Sequence, residues 1–250
     1  MISIINKYDL FIFDLDDTLI NTENYHYDAW IKTLKNNINN DFSITHDYFF
    51  SKFHTINKDG IKNYLTNELY LDDPNKVISE KNNIYIKLIQ KESKNIKMVD
   101  GAEDLLELII SNNKKFVIVS NSLKSNIDFY SDLFPILKHS SKNYYREMFQ
   151  NKKPNPECYL SVINDFPNER MIGFEDSITG IEALTQVKEI THVFINSPKY
   201  IHYDYIINNY NSITIIKNYF ELNNKVINTS RILSDDTVEK ENSSHSTILI

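Results

Sequence analysis

Five short runs of β-branched and aromatic residues punctuate the chain: DLFIF (9–13), KFVIV (115–119), RMIGF (170–174), THVFI (191–195) and SITII (212–216). Their hydrophobicity is nearly continuous where a half-exposed strand would alternate, so each predicts a strand covered on both faces. Helical patterns precede the second, third and fourth runs, at GAEDLLELIISNN, NPECYLSVINDF and SITGIEALTQV. This alternation leaves few choices. The expected fold is α/β, with a central parallel sheet between two layers of helix.

From residue 21 to residue 95 the pattern changes. Amphipathic segments follow one another with no strand between them, at YHYDAWIKTLKNN, DGIKNYLTNELYL and NKVISEKNNIYIKLIQKES. A chain of 250 residues, 41% hydrophobic, can fill a sizeable core and still carry an insertion. The reading is therefore a core of residues 1–20 and 96–222, a helical insertion of 21–95, and a tail of 223–250. In the tail apolar periodicity fades, and disorder is expected.

Composition excludes several classes. A net charge of −7 argues against a broad polyanion-binding surface and hence against nucleic acid as a partner. No run approaches the roughly 18 to 20 apolar residues of a membrane span, and no export signal opens the chain, so a cytoplasmic protein is expected. The single cysteine, Cys158, rules out a disulfide framework and a multi-cysteine zinc site; it reads as a packing residue in a helix.

In an open parallel sheet ligands bind at the carboxyl ends of the strands, and the polar clusters fall there. DLDDT (14–18) follows the first run, SNS (120–122) the second and EDS (175–177) the third, while KKPNPE (152–157) opens the helix before the third. Clustered carboxylates repel one another and require a compensating cation. Asp14 and Asp176, with Glu175 nearby and a backbone carbonyl of Asp16, make the all-oxygen environment that suits Mg²⁺ and a substrate phosphate. Asp14 is the candidate nucleophile, forming an aspartyl-phosphate. Asp16, two residues on, is the candidate acid/base. Ser120, the amide of Asn121 and the ammonium of Lys153 are the candidate phosphate ligands.

FDLDDTL, VSNS, KPNP and GFEDSITGIEA, in this order, resemble the four motifs of the haloacid-dehalogenase-like superfamily, and FDLDDTLINTENYHYDAW is most similar to its β-phosphoglucomutase and small-molecule phosphatase branch. The resemblance implies a Rossmann-like core, a mobile four-helix cap inserted after the first motif, Mg²⁺ and an aspartyl-phosphate intermediate. An aspartate at position 16 is what the family's phosphatases and mutases carry. His26 and Trp30 stand at the spacing of the mutase's cap histidine and tryptophan, and become candidate substrate contacts. In FHTINKDGI, His54 lies near the mutase's lysine position and Lys58 near its arginine. Lysine replaces a bidentate clamp poorly, which favours a phosphatase over a mutase. Asp17 departs from the family's usual glycine. The resulting expectation is a Mg²⁺-dependent phosphatase of a small phosphorylated metabolite, with a sugar phosphomutase and a weakly active binding or regulatory protein as alternatives.

Overall fold

All five apolar runs become strands of one sheet in the computed structural model, which describes residues 1–49, 52–53, 58–195, 203–210 and 212–223, with the backbone alone for 58, 59, 203 and 204. The strands are β1 (Leu10–Phe13), β2 (Lys115–Val119), β3 (Lys142–Tyr144), β4 (Met171–Glu175), β5 (Ile190–Ile195) and β6 (Thr214–Ile216). Their order is β3-β2-β1-β4-β5-β6, and every pairing is parallel. This is the doubly wound, Rossmann-like arrangement, and its strand order reverses between β1 and β4.

The continuous hydrophobicity of the runs has a direct cause. Phe11, Phe13, Phe116, Ile118, Ile172 and Phe174 point to one face of the sheet, against α1 (Ile2–Lys7), α6 (Ala102–Ser111) and α7 (Lys124–Leu133). Leu10, Ile12, Val117, Val119 and Met171 point to the other, against α8 (Glu157–Asp165), α9 (Ile178–Thr185) and α10 (Tyr203–Asn209). Cys158 packs there as a buried thiol. Phe13 stacks on Phe174 at 4.8 Å between ring centroids.

Between β1 and α6 the described residues hold helices and no strand: α2 (Glu23–Asn37), α3 (His46–Phe49), α4 (Lys58–Asn67) and α5 (Pro74–Lys91). Pro74 opens α5, and the Asp73 carboxylate accepts from the Lys76 amide at 3.0 Å, a side-chain cap on a proline-started helix. These helices have their own apolar cluster of Trp30, Leu34, Phe49, Phe53, Tyr64, Leu65 and Val77. Ala29, Tyr85 and Ile89 instead join the cluster on the sheet, so α2 and α5 are rooted in the core. The chain re-enters the core through Gly101, whose φ of +78° suits glycine at the start of α6.

The strand β3 and helices α1, α7 and α10 were not among the elements expected from the sequence. β3 has only Tyr144 buried, lies at the sheet edge, and so lacks the apolar run that marks its neighbours. Residues 224–250, the expected disordered tail after Asn223, lie outside the described residues, as does His54.

Candidate active site

The reversal of strand order opens a crevice at the carboxyl ends of β1, β2 and β4, and the sequence clusters meet there. Asp14 follows β1 directly, its amide donating to the Phe174 carbonyl of β4 at 3.0 Å. Lys153 arrives from the loop before α8 and is 5% exposed. Its Nζ donates to Asp14 Oδ1 at 2.7 Å, to the Val119 carbonyl at 2.7 Å and to Glu175 Oε1 at 2.5 Å. Burial works to lower the Lys153 ammonium, but Asp14 and Glu175 outweigh it and hold it above the ordinary lysine value. Asn121 braces the lysine's backbone: its Oδ1 accepts from the Lys153 amide at 3.2 Å and its Nδ2 donates to the Lys153 carbonyl at 3.4 Å. Ser120 is buried beside them and accepts from the Ser122 amide through Oγ at 3.0 Å.

Asp14, Glu175 and Asp176 each place a carboxylate oxygen within 4.8 Å of the others, all three buried. Burial pushes the Asp14 carboxyl well above its usual range; Lys153 opposes this, and Glu175 and Asp16 add to it by repulsion. Asp176 rises for the same reasons, burial first and then Asp14, Asp17 and Glu175. Thr18 Oγ1 donates to Asp176 Oδ1 at 2.9 Å and fixes its orientation. An all-oxygen set under this repulsion fits a hard divalent cation. Glu175 also has a second task. Its Oε1 accepts from Tyr159 as well as Lys153, while Oε2 is buried with no partner among the described residues, against Gly180.

Asp16 faces the other side of the crevice. Its Oδ2 accepts from Ser122 Oγ at 2.5 Å and its Oδ1 from Tyr85 at 3.4 Å, with His26 Nε2 at 3.6 Å. Burial works to raise this carboxyl, but the facing imidazole and the Ser122 hydroxyl outweigh it and hold Asp16 at about 2. His26 stacks on Tyr85 at 4.1 Å, and Lys81 Nζ lies 2.8 Å from its Nδ1. With the ammonium donating to Nδ1, the ring proton is left on Nε2, toward Asp16. Asp17 turns away from this group. Its φ of 54° is left-handed, and its carboxylate accepts from the amides of Thr22 and Glu23 at 2.9 and 3.0 Å, capping the start of α2.

Residues 8–188 match the model of the haloacid dehalogenase-like hydrolase family, well over half of the chain. The chain belongs to this family. Among solved structures, the hydrolase is similar to an Entamoeba histolytica HAD hydrolase of family IA, variant 3, at 24% identity and a TM-score of 0.69, covering 85% of this chain and 94% of that one. A Thermotoga maritima protein assigned as a β-phosphoglucomutase shares 21% identity at a TM-score of 0.56, covering 74% of this chain and 85% of that one. A Haemophilus somnus protein predicted to be a phosphoglycolate phosphatase shares 14% at 0.66, covering 86% and 96%.

In this haloacid dehalogenase-like hydrolase the candidates Asp14, Asp16, Ser120, Asn121, Lys153 and Asp176 line one cleft of about 1030 Å³, and His26 and Trp30 reach it from α2. Trp30 is 5% exposed and rests on Phe53 at 4.7 Å, so it packs within the insertion as well as lining the cleft. The backbone of Lys58 starts α4; its side chain lies outside the described residues. Four residues of the site were not singled out in the sequence: Tyr85, Lys81, Tyr159 and Arg146. Each sits in a helical or polar stretch where nothing in the local pattern marks it, and only the fold brings Lys81 and Arg146 to the cleft, Tyr85 to the recess beside it and Tyr159 behind Glu175. No described helix is long and apolar enough to cross a membrane.

Proposed function

We propose that the protein is a Mg²⁺-dependent phosphatase that hydrolyses a small phosphorylated metabolite through an aspartyl-phosphate on Asp14. One observation carries the reading: a buried ammonium, Lys153 Nζ, bonded to Asp14 at the edge of a three-carboxylate cluster. The cluster supplies a cation's ligands and the lysine supplies charge for a phosphoryl group, so both halves of a phosphoryl-transfer site stand around one nucleophile. Bound at Asp14, Asp176 and the Asp16 carbonyl, with Glu175 beside them, Mg²⁺ would offset the repulsion and neutralise charge on the phosphoryl oxygens.

An oxygen of Asp14 forms a bond to phosphorus while the ester P–O bond breaks, and Asp16 gives its proton to the departing oxygen. Ser120, the Asn121 amide and Lys153 hold the equatorial oxygens. Asp16, ionised again, then takes a proton from water as that water attacks the aspartyl-phosphate, releasing phosphate and restoring Asp14. The low Asp16 value suits the second half; the first requires it to enter protonated, with the leaving oxygen replacing one of its present partners. The helices of residues 21–95 act as a cap over the core of 1–20 and 96–222, excluding water and selecting substrate through His26, Trp30 and Lys58.

The test is phosphate release from a panel of phosphorylated sugars, nucleotides and glycolytic acids, with Mg²⁺ and with EDTA. Release should need the metal and fall by orders of magnitude in Asp14→Asn; full activity in that variant rejects the reading. The same samples separate a phosphomutase, which would leave isomerised sugar phosphate and little free phosphate.

A further inference from the structure

Besides Lys152 and Lys153, two cations line the cleft whose charge this chemistry does not use. Lys81 comes from α5 and Arg146 from the short turn Arg146–Met148 that follows β3. The pair also lines an adjoining recess of about 100 Å³, together with His26, Asn82 and Ser122. Lys81 is 7% exposed, yet among the described residues its ammonium meets no carboxylate at ion-pair distance. Its neighbours are His26 Nδ1 at 2.8 Å and the rings of Tyr85 and Trp30, 5.0 and 5.8 Å below it. Arg146 Nε is buried with no hydrogen-bond partner among the described residues.

A buried ammonium with no carboxylate in contact and an unpaired guanidinium N–H are both costly, and the two groups repel one another. Burial first, opposed by Asp16, and then Arg146 bring Lys81 down to about 7, and burial lowers Arg146 as well. Asp16 is the internal anion that acts on both, and Glu147 acts on Arg146 as well. The Asp16 oxygens, however, are already engaged by Ser122 and Tyr85, with His26 beside them, and the Glu147 carboxylate accepts from the Lys124 amide. An anion from outside would satisfy both cations, and a guanidinium receives phosphate or carboxylate in bidentate geometry.

The position indicates which part of a ligand this is. Ser122 donates its hydroxyl to Asp16 and accepts the Arg146 amide through its carbonyl at 3.0 Å, so the cations flank the acid/base and not the phosphoryl cradle of Ser120 and Lys153. We propose that Lys81 and Arg146 form a second anion subsite for the leaving-group half of the substrate, so that the preferred substrate is a phosphomonoester carrying a further phosphate or carboxylate. This rests on Asp16 being the group that addresses the leaving oxygen.

The test reads binding and not turnover. Calorimetry with Mg²⁺ on the Asp14→Asn protein compares pentyl phosphate with pentane-1,5-diyl bisphosphate and with 5-phosphooxypentanoate. The doubly charged ligands should bind about tenfold tighter or better, and the relative gain of the two tells a second phosphate from a carboxylate. Long-range attraction to the protein as a whole does not favour the extra charge, because the net charge is −7, and the variants separate Lys81 and Arg146 from the other cations of the cleft. Arg146→Gln and Lys81→Gln should each shrink the preference, and Arg146→Lys should keep part of it. Equal affinity for all three ligands overturns the proposal, as does a preference that survives in the double variant. The ligand comparison needs no cleft variant of Lys81 or Arg146, so a misfolded substitution does not decide it. Failure of the aspartyl-phosphate reading shows separately, as phosphate release that persists in Asp14→Asn.

Discussion

Asp17 explains its own departure from glycine once its backbone is seen. The position needs a left-handed φ, which glycine adopts freely and aspartate tolerates, and this side chain then does what glycine cannot by capping α2. Asp17→Gly should cost about 1 kcal/mol through the lost cap, and Asp17→Ala about 2 kcal/mol because left-handed strain adds to that loss. Urea unfolding checks the order; an alanine variant at least as stable as the glycine variant contradicts it. Gly180 is fixed by a different constraint. A Cβ there would lie 1.9 Å from Glu175 Oε2 and force away the carboxylate that holds Lys153. Gly180→Ala should destabilise by about 1–3 kcal/mol and slow phosphate release, and wild-type behaviour in both would mean that Glu175 does not steady the lysine. Asp14, Asp16, Lys153 and Asp176 were legible in the sequence because each closes a strand or opens a helix within a dense polar motif. Lys81 and Arg146 were not, because a single cation on a polar helix or turn looks like any solvated one until the fold buries it.

At the scale of elements, α5 is tied to the core by more than apolar contact. Tyr85 of α5 and Tyr130 of α7 share a buried hydroxyl bond of 2.7 Å, and Tyr85 also reaches Asp16 and stacks on His26 of α2. Tyr85→Phe leaves the Tyr130 hydroxyl buried without this partner, at a cost of about 1–3 kcal/mol. In a cycle with Tyr130→Phe the two substitutions should couple by about 0.5 kcal/mol or more; simple additivity would show that the helices are not joined there. The doubly buried strands and the helices between β1 and α6 were readable, since the strands carry continuous apolar runs and the helices an amphipathic period. β3 was not, because an edge strand with one buried side chain is held by its partner β2 and not by a pattern of its own.

Across the whole molecule, stability is tied to the protonation of the same carboxylates that are proposed to hold the metal. Asp14 and Asp176 have raised carboxyls, so the folded state binds protons more readily there than the unfolded chain does. Their contribution is fully present below the ordinary carboxylate range and is lost as pH rises through the raised folded values. A cation bound to the folded state alone replaces the missing protons. Mg²⁺ at a hundredfold excess over its Kd should therefore stabilise the protein by about 2.7 kcal/mol at neutral pH, and the gain should shrink on acidification toward pH 4. Thermal melting with Mg²⁺ and with EDTA across that range checks both the sign and the trend, and a metal effect that grows in acid would contradict it.

Lys153 joins Asp14 across 139 positions of sequence, and Asp176 follows later still. A ribosome making this chain thus lays down the acidic end of β1 long before the ammonium that balances it, and the last carboxylate emerges only after β4. Any product of premature termination short of that point lacks the third carboxylate of the cluster, whatever else of it has folded.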